Sequence, residues 1–168
     1  MRRILFRNTM TDIISKEKRS WVMSRVRSKD TTPEKIVRSY LFSRGLRFRL
    51  YSKKLPGHPD VVLPKYKAVI EVRGCFWHRH PGCKIASTPK TNVAFWQAKF
   101  DRNVARDARN EAAVRALGWR YFVVWECELS KKADREKTLE SLYDRIVGIE
   151  PPVEGVPMAA ESKAEYKA

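Results

Sequence analysis

LPGHPDVVL (residues 55–63) and AVIEVRGCFWHRHPGC (residues 68–83) are neighbouring stretches that hold the densest group of chemically active residues in the chain. Each contains a short apolar run rich in β-branched residues, which is typical of a strand. The segment between them, residues 64–67, begins with proline and is short enough to turn the chain back. The sequence therefore predicts a β-hairpin with one carboxylate on each strand, Asp60 and Glu71.

The rest of the chain predicts helices and strands around this hairpin. A capping box over residues 31–34, with proline in the first turn, predicts a helix that ends before Gly45. Other helices are expected over 15–27, 93–117 and 134–147. Strands are expected over 46–50 and over 119–125, the latter nearly all apolar, as in a central buried strand. The inward-facing residues expected on the 93–117 helix are Phe95, Trp96, Phe100, Val104, Ala108, Ala112 and Val114.

This order of elements indicates one α/β domain, a mixed sheet flanked by helices. With 168 residues, 43% of them hydrophobic, the chain has the size of one domain with a real core. We expect the domain to span 15–148. Residues 1–14 are expected to be a flexible extension, and residues 149–168, rich in proline and small residues, a disordered tail.

The chain is strongly basic, with a net charge of +16 and a pI of about 10.1. Lys and Arg neutralise phosphates and release counterions, which favours nucleic acid as the partner over a merely basic soluble protein. No stretch is long and apolar enough to span a membrane, and we expect no secretory signal. Three cysteines are an odd number, which argues against a disulfide framework and for a reducing cytoplasm.

The carboxylates of the predicted hairpin suggest a metal-dependent nuclease. Side chains two apart on a strand share a face, so Glu71 and Arg73 should point the same way, with Asp60 beside them. Carboxylates so placed can hold Mg²⁺, which activates water and offsets the charge of a phosphodiester under attack. The alternative is a surface Asp after a turn and an ordinary Glu–Arg pair. Glu34 is a candidate third acid or only a capping residue.

A group of cysteines and one histidine suggests a second metal site. Three thiolates and one imidazole suit tetrahedral Zn²⁺ and leave no open position, which predicts a structural zinc; ordinary buried thiols are the alternative. His78 is a candidate general base or acid, or a core residue. His58 is either structural or phosphate-facing. The candidate zinc ligands are Cys75, His80, Cys83 and Cys127.

Aromatic residues stand close to this group. Phe76 and Trp77 lie inside the polar loop, and Trp96 lies near the start of the predicted 93–117 helix. Such side chains can stack on bases or wedge between them. Ordinary core packing is the alternative for all three.

Several motifs occur together in one order and point to a known family: LPGHPD (55–60), GCFWHRH (74–80), FW (95–96), NVARD (103–107), LGWR (117–120) and VWEC (124–127). With them the chain resembles the very-short-patch repair (Vsr) DNA mismatch endonucleases, from about Met10 to Leu129. The resemblance implies a restriction-endonuclease-like fold, a structural zinc and Mg²⁺-dependent nicking of duplex DNA beside a T:G mispair. It also implies a cytosine methyltransferase and mismatch-repair proteins as partners, and a bacterial-type, nucleoid-associated cytoplasmic location.

The resemblance also assigns roles to residues. It makes Asp60 the metal-binding carboxylate, the Val72 backbone carbonyl a second Mg²⁺ ligand, and His78 the histidine that helps to activate water. Glu34 matches an acid near the site, and the zinc ligands match the Cys/His group named above. The residues that match those entering the DNA at the mispair are Phe76, Trp77 and Trp96 from one groove and Met23 and Val26 from the other.

The chain departs from the best-known members of the family in two places. Arg73 stands where those members have a second active-site histidine, and an arginine cannot act as a general base. Glu71 restores the acid of the broader nuclease pattern, so we expect it as an additional Mg²⁺ ligand. The loop 79–83 is one residue longer, so that His78 competes with His80 as the zinc-binding histidine.

Three functions remain as hypotheses from the sequence. The first is a mismatch-directed, Mg²⁺-dependent nicking endonuclease. The second is a restriction-type endonuclease without mismatch preference. The third is a zinc-stapled DNA-binding protein that the change at Arg73 has made catalytically inactive.

Overall fold

The computed structural model describes residues 15–25 and 28–148. The predicted extension 1–14, the predicted tail 149–168 and Val26 lie outside the described residues. The described part has the expected α/β class, and none of its helices combines the length and apolar character needed to cross a bilayer. Its helices are α1 (Lys16–Ser24), α2 (Thr32–Ser43), α3 (Cys75–His78), α4 (Val93–Ala116) and α5 (Lys132–Val147).

One mixed four-stranded sheet forms the centre of the described part, with the strands in chain order. Its strands are β1 (Arg49–Leu50), β2 (Val61–Leu63), β3 (Ala68–Arg73) and β4 (Arg120–Trp125). β1 pairs antiparallel with β2, and β2 pairs antiparallel with β3, which confirms the predicted hairpin. β3 runs parallel to β4, with Ile70 opposite Phe122. The strand expected over 46–50 is shorter, because only its last two residues pair with β2.

The strand predicted to be central, β4, is instead the outermost strand on its side of the described sheet. It is apolar because both of its faces are covered: Phe122 packs under α2 and α5, and Tyr121 packs under α4. Side chains also cover part of its free edge. Arg115 donates to the Tyr121 carbonyl at 3.1 Å, and the Glu128 carboxylate accepts from the Trp125 N–H at 2.8 Å. The apolar run thus reflects burial between helices.

The sheet separates two apolar cores, because alternate strand residues point to opposite faces. The larger core lies under α2 and α5, and its most buried members include Val37, Leu41, Ile70, Val124, Leu139, Leu142 and Ile146. The smaller core lies under α4 and contains Leu55, Val62, Val69, Val114 and Tyr121. On this second face, β3 changes from the apolar Val69 to the charged Glu71 and Arg73. The α4 side of the sheet is therefore polar near the end of β3.

The prediction of which α4 residues face inward is wrong for most of them. Phe100 and Val114 are buried and Trp96 is half-buried, but four of the predicted residues are exposed: Phe95, Val104, Ala108 and Ala112. The inner side of the helix carries Asn103, Asp107 and Asn110 instead. Apolar spacing identifies the inner face only where a helix covers an apolar surface, and this part of α4 covers a polar cleft.

The packing of the larger core gives a direct test. Leu41 is fully buried, whereas Leu117, just after α4, is 57% exposed. Leu41→Ala should lower the free energy of unfolding by about 2–5 kcal/mol, because it removes buried methyl groups and leaves a cavity. Leu117→Ala should lower it by less than about 1 kcal/mol. Urea denaturation followed by tryptophan fluorescence measures both, and equal losses would contradict the placement of Leu41.

Candidate active site

A cavity of about 840 Å³ lies where the charged end of β3 meets the polar side of α4. The start of α2, the turn 57–60, the end of β3 with α3, and the middle of α4 form its walls. Acidic, basic and amide side chains from distant parts of the sequence line this cleft, among them Glu34, Asp60, Glu71, Arg73, His78, Asn103, Asp107 and Asn110. The fold therefore brings most of the titratable residues singled out above to one place.

Asp60 is a carboxylate under electrostatic strain in this cleft. Its Oδ2 accepts a hydrogen bond from the Val72 backbone N–H at 2.8 Å across the hairpin, and its Oδ1 has no partner among the described residues. The pKa of Asp60 is raised to about 6, chiefly by burial and also by the charges of Glu34 and Glu71, and the bond from Val72 offsets this rise only in part. A cation beside Asp60 would relieve this unfavourable charge.

Glu71 and Arg73 lie on the same face of β3, as expected, and bind each other. The Arg73 Nε and Nη2 atoms both lie 3.0 Å from Glu71 Oε2, and Nη2 also donates to the Tyr121 hydroxyl at 3.0 Å. The side chains of Arg73 and Glu71 are only 11% and 14% exposed. The Glu–Arg pair, one of the two interpretations of these residues, is thus present as a fixed part of the cleft wall.

Glu34 lies in the first turn of α2 and lines the cleft with its carboxylate already hydrogen-bonded. The capping box predicted here is confirmed: the Thr31 hydroxyl accepts from the Glu34 N–H, and the Glu34 carboxylate accepts from the Thr31 backbone and hydroxyl. The other carboxylate oxygen accepts from the Tyr51 hydroxyl at 2.6 Å and from Arg38. Because Glu34 is 3% exposed and both of its oxygens are engaged, its negative charge has a fixed position.

His78 forms a pair that the sequence did not predict. Its Nδ1 lies 2.5 Å from Oδ2 of Asp107 on α4, and Arg106 donates to the other Asp107 oxygen at 3.0 Å. Burial opposes ionisation of Asp107, but the bonds from His78 and Arg106 and the charge of Arg73 outweigh it and lower its pKa. The sequence pattern that could have predicted the inward position of Asp107 is the series of polar residues at positions 103, 107 and 110, which lie on one face of the helix.

The predicted zinc ligands form one compact group in the structure. The ligand atoms of Cys75, His80, Cys83 and Cys127 all lie within 4.8 Å of one another. The His80 Nδ1 atom is 3.2 Å from the Cys127 Sγ and 3.7 Å from the Cys75 Sγ, and its ring stacks on Trp125 at 4.1 Å. This group can hold a metal ion. His80 lies in it, whereas His78 pairs with Asp107, which separates the roles of the two histidines.

The aromatic residues of α3 and α4 form a cluster beside the cleft. The Phe76 ring lies 5.0 Å from Trp77, 5.5 Å from Trp96 and 5.2 Å from Phe100, as measured between ring centroids. The Lys99 Nζ lies over Trp77 at 5.3 Å and over Trp96 at 5.9 Å. Phe76, Trp77 and Trp96 are half-buried, so the cluster is packed and also presents aromatic surface to solvent.

Comparison of the sequence with known proteins places the chain in a family. A family model for the DNA mismatch endonuclease Vsr matches residues 11–84. The DNA mismatch endonuclease Vsr of Escherichia coli K12 is 42% identical over 138 residues, which cover 82% of this chain and 86% of that protein. The chain belongs to the Vsr family. Two further relatives in this comparison are the type II nicking enzymes V.XorIIP of Xanthomonas oryzae pv. oryzae and V.NmeAIP of Neisseria meningitidis serogroup A. They are 52% and 44% identical, over 80% and 82% of this chain and 98% and 97% of their own lengths.

The fold brings together most, but not all, of the residues that the Vsr resemblance assigns to a site. All of the residues expected to take part in cutting line one cleft: Glu34, Asp60, Glu71, Val72, Arg73 and His78. Met23 is 40% exposed on α1, and Val26, its expected neighbour in the DNA, lies outside the described residues. The metal-binding, base and DNA-contacting roles stay predictions for this member of the family.

The raised pKa of Asp60 predicts a pH-dependent cost in stability. The folded-state pKa of about 6 lies above the ordinary value of 3.8, so folding favours the protonated form. The contribution of Asp60 to the free energy of unfolding is therefore fully present below about pH 4 and is lost as the pH rises to about 6. In buffer without added Mg²⁺, Asp60→Asn should therefore increase the free energy of unfolding at pH 7.5 by up to about 3 kcal/mol and change it little at pH 4.

Asp101→Asn serves as the matched control, because Asp101 is exposed on α4 and, among the described residues, accepts a side-chain hydrogen bond only from Gln97. Its effect on the free energy of unfolding should stay within about 0.5 kcal/mol at both pH values. Urea denaturation at pH 4 and pH 7.5 measures the two variants against the wild type. A loss of stability in Asp60→Asn at pH 7.5 would contradict the unfavourable charge of Asp60.

Proposed function

We propose that this member of the Vsr family is a Mg²⁺-dependent endonuclease that nicks one strand of duplex DNA at T:G mispairs, as in very-short-patch repair. The observation that carries the proposal is one cleft that contains both Asp60 and the His78–Asp107 pair, with an aromatic cluster beside it. The names of the relatives, one a mismatch endonuclease and two nicking enzymes, support it. The net charge of +16 suits a duplex DNA substrate.

We assign Mg²⁺ binding to Asp60 and the Val72 backbone carbonyl, with Glu71 as an additional candidate ligand. The donors fit a hard cation, because they are oxygens and the Oδ1 of Asp60 has no other partner among the described residues. The repulsion from Glu34 and Glu71 that helps to raise the pKa of Asp60 also favours a cation there. When bound, Mg²⁺ would supply Lewis-acid stabilisation of the phosphate and help to ionise water.

We assign the role of general base to His78. The Asp107 carboxylate accepts a hydrogen bond from Nδ1 of His78, which keeps a proton on that nitrogen and leaves Nε2 able to take one from water. The charge of Asp107 then stabilises the imidazolium that forms. Arg106 and Arg73 help to keep Asp107 ionised, so this support persists at neutral pH.

Arg73 and Glu34 contribute fixed charge to the same site. Arg73 supplies a permanent positive charge at the cleft, where negative charge develops on the phosphate during attack. Glu34, held by Tyr51 and Arg38, supplies negative charge near Asp60 and so favours binding of a divalent cation. The two roles are complementary, because one favours the cation and the other the anionic substrate.

The aromatic cluster is proposed to recognise the mispair. Phe76, Trp77 and Trp96 would enter the base stack from one groove, with Met23 and Val26 entering from the other. A mispair costs less to unstack than a Watson–Crick pair, so insertion itself discriminates between the two. The half-exposed rings and the adjacent Lys99 support this assignment, because a cation beside an aromatic surface suits the phosphate–base boundary of DNA.

The Cys/His group is proposed to bind one structural Zn²⁺. The four ligand atoms are close enough for one ion, and thiolates with an imidazole are the donors that zinc prefers. The group links α3 and its following loop to the end of β4, so zinc would hold the aromatic cluster against the sheet.

The mixed sheet with the carboxylates at its hairpin supports a restriction-endonuclease-like fold. We also propose that the protein acts with a cytosine methyltransferase and mismatch-repair proteins and is located at the nucleoid. This part of the proposal rests on membership of the family alone.

A nicking assay tests the function. A T:G duplex should be nicked only with Mg²⁺, and faster than the matched duplex by about 10²-fold, because insertion must first unstack the target pair. Denaturing gels of end-labelled duplexes measure both rates. Equal cleavage of both duplexes would favour the restriction-type alternative, and DNA binding without nicking would favour an inactive DNA-binding protein.

Variants connect this assay to the site. Asp60→Ala should reduce nicking of the T:G duplex by at least about 10³-fold while DNA affinity changes by less than about 3-fold, since the metal acts on the chemical step. The control Asp101→Ala removes an exposed carboxylate outside the cleft and should nick like the wild type. Unchanged nicking by Asp60→Ala would remove Asp60 from the mechanism.

The two neighbouring histidines provide a matched test of the zinc site. Wild-type protein should retain about one zinc per chain after dialysis, because a Cys₃His site holds zinc tightly. His80→Asn should bind zinc at least about 10-fold more weakly, whereas His78→Asn should keep it, because His78 pairs with Asp107. Elemental analysis and competition with a chelator measure retention. A wild type without zinc, or equal loss in both variants, would contradict the site.

A further inference from the structure

Arg73 is held from two sides inside the cleft wall. Its Nε and Nη2 lie 3.0 Å from one Glu71 oxygen, and Nη2 donates to the Tyr121 hydroxyl at 3.0 Å. The third guanidinium nitrogen, Nη1, has no hydrogen-bond partner among the described residues. The Arg73 side chain is only 11% exposed and lines the cavity. Nη1 can therefore form a hydrogen bond mainly with a molecule that enters the cleft.

Tyr121 belongs to the apolar core under α4 yet presents its hydroxyl to the charged pair. It is 4% exposed and packs with Val69 and Val114. Burial and the neighbouring Glu71 carboxylate both raise the pKa of Tyr121, so the hydroxyl stays protonated and neutral. A neutral oxygen anchored in a rigid core can fix the position of Nη2 without adding charge.

The guanidinium plane is therefore fixed by its partners. Arginine offers five N–H donors in one rigid plane, so two bonded nitrogens determine where the third points. The other nearby carboxylate, Asp107, is already bonded to His78 and Arg106. No other described anion lies within hydrogen-bond distance of Nη1, and an anion entering the cleft can take that place.

We propose that Glu71 and Tyr121 are positioning residues that aim Arg73 Nη1 at a non-bridging oxygen of the scissile phosphate. This inference rests on the proposed nuclease function. It makes Arg73 the group that touches the substrate and gives Glu71 a role other than binding Mg²⁺. A guanidinium with this support keeps its charge throughout the pH range in which an imidazole at the same place would lose it.

Single-turnover nicking of the T:G duplex tests the positioning roles. Tyr121→Phe removes only the hydroxyl and should slow the chemical step by about 3–10-fold, with DNA affinity unchanged. Tyr66→Phe is the matched control, because Tyr66 packs against the core on the other face of the sheet. It should nick at the wild-type rate. Equal rates for the two variants would overturn the role of Tyr121.

The dependence on Mg²⁺ concentration separates the two roles of Glu71. Glu71→Gln keeps an oxygen for Arg73 but loses the charge, and should slow nicking by about 10–100-fold. If Glu71 positions Arg73 instead of binding the metal, the Mg²⁺ concentration for half-maximal rate should stay within about 2-fold of the wild type. An increase of about 10-fold or more would show that Glu71 binds the metal and would overturn the inference.

Hydrogen exchange of the Arg73 side chain tests its positioning without a nicking assay. The Arg73 Nε–H signal in ¹⁵N NMR spectra, identified by its loss in Arg73→Lys, should exchange slowly with water in the wild type and in Tyr66→Phe. It should exchange at least about 10-fold faster in Glu71→Gln. Fast exchange in the wild type overturns the positioning of Arg73. A wild type that shows slow exchange but nicks no DNA overturns the proposed function instead.

Discussion

The parallel pairing of β3 with β4 is the constraint on which the candidate site depends. Six residue pairs, from Ala68–Arg120 to Arg73–Trp125, fix the two strands in one register. Parallel strands end at the same edge of a sheet, so the segments that follow them start side by side. One segment is α3 with its cysteine, aromatic and histidine side chains, and the other carries Cys127. If β3 slipped by one residue against β4, the members of the Cys/His group would move apart, and Glu71 and Arg73 would point to the other face of the sheet.

Features with a local physical cause could be predicted from the sequence. The hairpin follows from two apolar runs around a short turn, and the start of α2 follows from its capping box. Glu71 and Arg73 share a face because side chains two apart on a strand must do so. The candidate zinc ligands were found because the chemistry of thiolates and imidazole limits the choice to a few residues, and the fold brings them within 4.8 Å.

Features that depend on packing between distant segments could not be predicted in this way. The inner face of α4 is polar because it covers the cleft, so apolar spacing selected the wrong side of the helix. Asp107 looks like one more charged residue of a surface helix until His78 is placed opposite it. The contact between the Tyr121 hydroxyl and Arg73 was equally hidden, because the ring of Tyr121 belongs to the apolar core. The position of β4 required knowledge of its neighbours.

The free edge of β4 has a consequence for how separate copies of this protein meet. Open strand edges are where proteins join into continuous sheets and aggregate. Here the Tyr121 carbonyl and the Trp125 N–H are already bonded to Arg115 and Glu128, so a strand from a second copy would first have to displace both side chains. The net charge of +16 adds long-range repulsion between copies. The side chains that cover this edge therefore leave less of β4 open to pairing with a strand of a second copy.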